Sequence, residues 1–289
     1  MINYNPKDWF TFIFRLHKSD TFRTLLPTMT GIALYTLILV FVENYYNFKA
    51  DNKITKIITV HTLLSFVISM LLVFRTNTAY DRWWEGRKEW GALVNTSRNF
   101  SMKLKSFFSQ TDDLVFFQQK LISFPYALKN HLRNITQEID EEDVLGAYQK
   151  MPHQHLPLHI ATEMYQKLTA ALNDKKITNE QFLTLDSELK QWMEICGKCE
   201  RIKNTPIPFS YNVFIKKFIF IYVMSLPPAI VPIMGGYAVP IAVFIFYVLA
   251  SLELLAEEIE NPFGKDSNDL PLDEIAKNIR KSVLQVMGE

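Results

Sequence analysis

Long stretches without a single charge decide what this chain can fold into. Thr24 to Val42 contains no Asp, Glu, Lys or Arg, and Ile57 to Phe74 contains none either, His61 counting as neutral. A third charge-free block, Phe218 to Leu252, is far longer. About 20 apolar residues cross a hydrocarbon core of about 30 Å. The first two blocks each fit one crossing. The third, as one helix, would measure about 50 Å at 1.5 Å per residue, too long for a single pass. Its middle runs from Pro227-Pro228 through Pro232 to Gly235-Gly236, residues that break helices and make turns. This predicts two spans there, at about 213–230 and 234–256, with Pro240 kinking the second. Four such segments are hard to bury in one soluble core.

Averages conceal this segregation. Of 289 residues, 48% are hydrophobic and 21% charged, values close to those of soluble domains. The 31 Lys+Arg against 30 Asp+Glu leave a net charge of +1, without the basic surplus that a nucleic-acid partner requires. Two Cys cannot build a secreted-type disulfide framework.

The distribution of basic residues sets topology. Lys7, Arg15, Lys18 and Arg23 precede the first span, Arg75, Arg82, Arg87 and Lys88 follow the second, and the hairpin between the third and fourth is uncharged. The positive-inside rule then places both termini and the long middle segment in the cytoplasm of a multi-pass inner-membrane protein. The expected organisation is an N-terminal amphipathic segment over 1–24, spans one and two over 25–74 with an outer loop at 43–56, a helical cytoplasmic region over 75–211, spans three and four over 212–256, and a cytoplasmic segment over 257–289. Trp9 to Leu26 reads as an interfacial helix. Within the cytoplasmic region, helices are expected over Arg82–Phe108, Asp112–Leu132, Ile139–Lys150, His159–Leu172 and Asn179–Ile202, the last starting at an Asn179 cap.

Several groups invite chemistry. Cys196-Gly197-Lys198-Cys199 lacks a second ligand pair for zinc and a thioredoxin-like context, so two free thiols are expected. His153, His155 and His159 offer metal-ligand atoms but lie beside Pro152 and Pro157, and a metalloenzyme built on them is the weaker reading. The spans carry no paired acids of the kind a proton-coupled transporter uses. The chain shows no phosphate loop or nucleophile elbow, and is not read as an enzyme.

The densest string is Arg75-Thr-Asn-Thr-Ala-Tyr followed by Arg82-Trp83-Trp84-Glu85, just after the second span with its Ser65-Phe66-Val67. Further on, Pro206-Ile207-Pro208-Phe209-Ser-Tyr211 precedes the third span, and Ile259-Glu260-Asn261-Pro262-Phe263-Gly264 follows the fourth. In that order and over nearly the whole chain, these elements resemble the bestrophins, in particular their bacterial branch. The resemblance implies an all-α membrane protein with four transmembrane helices per subunit, assembled as a homopentamer around one pore and passing small monovalent ions, chloride or sodium. Its partners would be copies of itself, membrane lipid and the permeant ions.

Thr62, Phe66 and Met70 fall at i, i+4 and i+8, hence on one helical face, and the resemblance makes them the pore neck. Leu185 and Leu189, one turn apart, would form a second, cytoplasmic constriction. Asn261, Asp266 and Asp269 match the ligand positions of a calcium clasp, but Lys265, Ser267 and Asn268 interrupt its acidic run. No cofactor is therefore expected to be required, calcium included. The alternative to a channel is a non-conducting membrane scaffold or regulatory protein.

Overall fold

The computed structural model describes residues 21–46, 52–109, 111–135 and 155–288. These form helices α1 (Thr21–Tyr46), α2 (Asn52–Phe107), α3 (Thr111–Leu132), α4 (Leu156–Asn173), α5 (Asn179–Asn204), α6 (Phe209–Met234), α7 (Ala238–Glu260) and α8 (Leu272–Met287), with a short 3-10 turn over Gly235–Tyr237. No strand occurs among the described residues. The expected helix over Ile139–Lys150, residues 1–20 of the amphipathic segment and residues 47–51 of the outer loop lie outside them. Two compact units emerge: one from residues up to 81 with 206–260, the other from 82–205 with 261–289. Helix α2 contributes to both, because the second span and the expected Arg82–Phe108 helix are one unbroken helix of 56 residues.

The first unit is the apolar one. The helical stretches Thr21–Tyr46, Ile57–Phe107 and Phe209–Glu260 contain windows of mean hydropathy 2.1, 2.4 and 2.3, long and apolar enough to cross a bilayer. Met29 and Ile32 of α1, Ile68 and Leu72 of α2, Ile215 and Val223 of α6, and Ala242 and Phe246 of α7 share its core. Helices α6 and α7 fold back on each other. Lys216 near the start of α6 pairs with Glu257 near the end of α7 at 2.8 Å, which fixes the hairpin tip near Gly235–Tyr237. Gly235 makes the reversal with a φ of 52°, a conformation costly for residues with a Cβ.

The prolines do not make that turn. Helix α6 runs through Pro227, Pro228 and Pro232 to Met234, and Pro240 sits in the first turn of α7, where a missing N–H costs nothing and no kink is needed. Inside α6, each proline deprives the carbonyl four residues back of its donor. For Pro228 that carbonyl belongs to Met224, and the Tyr35 hydroxyl of α1 donates to it at 3.1 Å. Backbone groups freed within a membrane helix need such a substitute partner.

The second unit is a helical bundle around a large aromatic core. Trp192 of α5 is fully buried, stacked on Phe124 of α3 at 4.2 Å between centroids and edge-on to Phe100 of α2 at 5.6 Å. Helix α5 begins one residue earlier than the expected Asn179 cap. Thr178 is the N-cap, and its hydroxyl accepts from the Gln181 backbone while the Gln181 side chain accepts from the Thr178 N–H, a reciprocal capping box.

Candidate functional site

Helix α2 has two faces in the apolar unit. His61, Ile68, Leu72, Arg75 and Ala79 are buried, and their spacing of seven, four, three and four residues follows one side of the helix. On the other side Thr59, Thr62, Phe66, Ser69, Met70, Val73 and Asn77 are exposed. The three predicted neck residues therefore share one uncovered face. Phe66 is 71% exposed and Met70 50%. The hydroxyls here are satisfied by their own helix: Thr62 donates to the Ile58 carbonyl at 3.0 Å and Ser69 to the Ser65 carbonyl at 2.7 Å. Self-satisfied hydroxyls leave the face mildly polar without requiring a partner from another segment.

Arg75, read from the sequence only as part of a boundary string, is 1% exposed and holds two acids of α7. Its Nη2 lies 2.7 Å from Glu260 and its Nε 3.6 Å from Glu253. The other oxygen of Glu260 accepts the Ile207 N–H at 2.7 Å. One carboxylate thus links α2 to the entry of α6. From Arg82 onward the string acts within the second unit. Arg82 donates to the carbonyls of Ile202 and Thr205 at 2.5 Å each, capping the end of α5. Glu85 pairs with Arg201, and Glu89 with Lys198 at 3.3 Å. Trp83 Nε1 donates to the Asn268 carbonyl at 2.9 Å. Its density reflects a run of helix that staples α5 and the loop before α8.

Leu185 and Leu189 require a correction. Both are 0% exposed and belong to the bundle core, so they pack helices and face no opening. Leucines one turn apart are the signature of a core stripe as much as of a pore stripe. The exposed leucine of α5 is Leu183, at 58%.

Between α7 and α8, Asp269 accepts the Asp266 N–H at 2.7 Å and returns its own N–H to the Asp266 carbonyl at 3.1 Å. The carboxylate leaves no space for a side chain at residue 264, where a Cβ would come within 2.5 Å of Asp269 Oδ2. The carbonyls of Phe263 and Gly264 accept from Arg133 Nε at 3.2 and 3.1 Å. Arg133 also pairs with Asp273 at 2.8 Å, and Lys129 reaches Asp273 at 2.9 Å. Burial alone would raise the Asp273 carboxyl, but the bonds from Lys129 and Arg133 prevail and bring it to about 2. A cavity of about 310 Å³ opens here, lined by Gly264, Asp266, Asp269 and Asp273 with Arg133 and Lys265 among them. Calcium takes six to eight oxygens. Here two carbonyls already serve a guanidinium, and a second cationic side chain lines the space. The set does not fit a calcium ion. Asn261 stands at the mouth of the loop, its Nδ2 3.8 Å from where a Gly264 Cβ would lie.

Cys196 and Cys199 are free and buried. Burial pushes the Cys196 thiol up to about 12 and Cys199 further in the same direction, with nearby Glu200 adding to both. Of the three histidines singled out, His153 lies outside the described residues and His159 faces Glu163 at 3.9 Å. His155 instead meets His131 and Glu200, a grouping without any local spacing to reveal it.

Comparison with known proteins decides the family. The family described as Bacterial/Fungal Bestrophin protein matches residues 1–285. The chain belongs to the bestrophin family. Among its curated bestrophin-like relatives is a voltage-dependent anion channel-forming protein of Nostoc sp., 30% identical over 285 residues, covering 96% of this chain and 91% of the relative. Another, of Synechocystis sp., is 34% identical over 227 residues, 76% of this chain and 74% of that one. YneE of Escherichia coli, of the same description, is 32% identical over 235 residues, 79% and 76% of the two chains. The crystal structure of a bacterial bestrophin homolog from Klebsiella pneumoniae shares the fold at a TM-score of 0.78 and 24% identity, over 92% of this chain and 99% of that one.

Proposed function

We propose that this chain is one subunit of a homopentameric bestrophin channel in the bacterial inner membrane, passing small monovalent anions passively. The carrying observation is the uncovered face of α2. Thr59, Thr62 and Ser69, in line with Phe66 and Met70, make this face more polar than contact with lipid alone calls for. Five copies turned inward would convert that face into rings, and the Phe66 ring would form the narrowest one. An apolar ring gates by dewetting. Aromatic edges carry partial positive charge and favour a passing anion, in keeping with the anion channels among the relatives. In this reading α1, the first part of α2, α6 and α7 are the four spans, with both termini cytoplasmic. The second constriction falls to Leu183, in place of the buried pair.

The test is the reversal potential of purified protein in a planar bilayer under a NaCl gradient. A value near the chloride equilibrium potential is expected, and one near the sodium potential would replace the anion by a cation. Phe66→Ala should raise flux several-fold in a protein that assembles normally. Unchanged flux would remove Phe66 from the neck. Silence from both proteins, each verified as an assembled oligomer, would favour a non-conducting scaffold.

A further inference from the structure

We propose that His131, His155 and Glu200 bind one divalent transition-metal ion of the zinc class. His131 stands in the last turn of α3, His155 is the N-cap of α4, and Glu200 lies near the end of α5. Both Nε2 atoms reach the same oxygen, Glu200 Oε1, at 2.6 Å, and all three ligand atoms lie within 4.8 Å of one another. The two imidazoles are 4.3 Å apart between centroids. Two imidazoles and a carboxylate make a donor set that zinc accepts, with a fourth position left for water. At Zn–N and Zn–O distances near 2.1 Å, tetrahedral ligand atoms stand about 3.4 Å apart, so the carboxylate need retreat by less than about 1 Å.

Burial, the largest influence, lowers His131, with His155 and Lys203 opposing the pull of Glu200. Glu200 is raised by burial but lowered more by its bonds from the two histidines, so it stays ionised. Lys203 is the opposing charge, and its ammonium is engaged by the His131 carbonyl at 2.9 Å and by Asn134 Oδ1. His155 Nδ1 accepts the Leu158 N–H at 3.1 Å, which places the ring proton on Nε2 in the metal-free form. Loading moves that proton to Nδ1 and exchanges one neutral cap bond for a metal bond. The ion would tie together the ends of three helices distant in sequence.

The experiment uses untagged full-length protein in detergent, stripped with chelator and titrated with Co²⁺. One Co²⁺ per chain is expected, with the absorption of a low-coordinate nitrogen and oxygen site and no thiolate charge-transfer band. The missing band separates this site from Cys196 and Cys199. His131→Gln and Glu200→Gln should weaken binding at least about tenfold, since even outer-shell losses cost that much, while His159→Gln leaves it unchanged. Zn²⁺ should also raise the wild-type Tm, a shift lost in His131→Gln. Absence of saturable binding in the wild type overturns the proposal, as does a thiolate band or unchanged affinity in His131→Gln. The wild-type spectrum and stoichiometry decide by themselves if a variant fails to assemble.

Discussion

The Tyr35 hydroxyl stands 3.1 Å from the Met224 carbonyl, the group that Pro228 leaves without a backbone donor. A proline in the middle of α6 is tolerated because another helix supplies the missing hydrogen bond. Tyr35→Phe should therefore cost about 1 kcal/mol or somewhat more, the usual worth of a part-buried hydrogen bond whose acceptor is left unpaired. Pro228→Ala restores the backbone donor, and in that background Tyr35→Phe should cost less. A double-mutant cycle from melts in detergent measures the difference, and additive losses would refute the coupling.

Arg75, Glu253 and Glu260 form a buried charge cluster that joins α2 to α7. Removing one member of a buried pair strands the other, which typically costs 3–5 kcal/mol. Arg75→Gln should lower the melting temperature and the yield of assembled protein. Glu260→Gln should do so as well, since its second oxygen also holds the Ile207 N–H. A variant as stable as the wild type would show the cluster to be dispensable.

Asp273 couples stability of the second unit to acid. Folded, its carboxyl sits at about 2, and unfolded aspartate titrates near 3.9. A depressed folded value contributes stability that is complete above the unfolded pKa and is lost as pH falls toward the folded one. Tryptophan fluorescence melts should therefore show stability dropping between about pH 4 and pH 2. Asp113, lowered by Lys167 and Lys176 against the effect of burial, adds to the same drop. Asp273→Asn should be less stable at neutral pH and less sensitive to acid in this window.

The two thiols of α5 should be inert in the folded protein. The thiolate is the reactive form, and burial keeps Cys196 protonated up to about 12, with Cys199 shifted the same way. Maleimide at pH 8 should label neither cysteine in native protein and both in denaturant, as read by mass spectrometry. Rapid native labelling would show that α5 opens.

Much of this architecture is written in local pattern. Charge-free runs mark the helices of the apolar unit, and periodicity marks α3, α4 and α5 within a few residues. The face shared by Thr62, Phe66 and Met70 follows from spacing alone. What spacing cannot convey is which neighbour a face meets. Leu185 and Leu189 have the periodicity of any apolar stripe, and only the packing of α5 against Phe100 and Phe124 puts them inside. The prolines of α6 look like a turn because the donor that rescues one of them, Tyr35, lies far away in sequence. Arg133 and Arg75 give no local sign of their roles, since their partners are separated from them by long stretches of chain. The Arg82–Glu89 string is conspicuous, but its purpose is visible only once α5 lies alongside.

The α6–α7 hairpin has a consequence for biogenesis. Its tip carries no charge, so nothing strongly hydrated has to be dragged through the hydrocarbon. Its fastenings, Lys216 to Glu257 and Glu260 to Ile207, all sit at the opposite, open end. In the topology proposed above, both arms can enter the bilayer together, their fastened ends staying on the cytoplasmic side. Neither fastening can close before the last turn of α7 is made, because Glu257 and Glu260 both lie there.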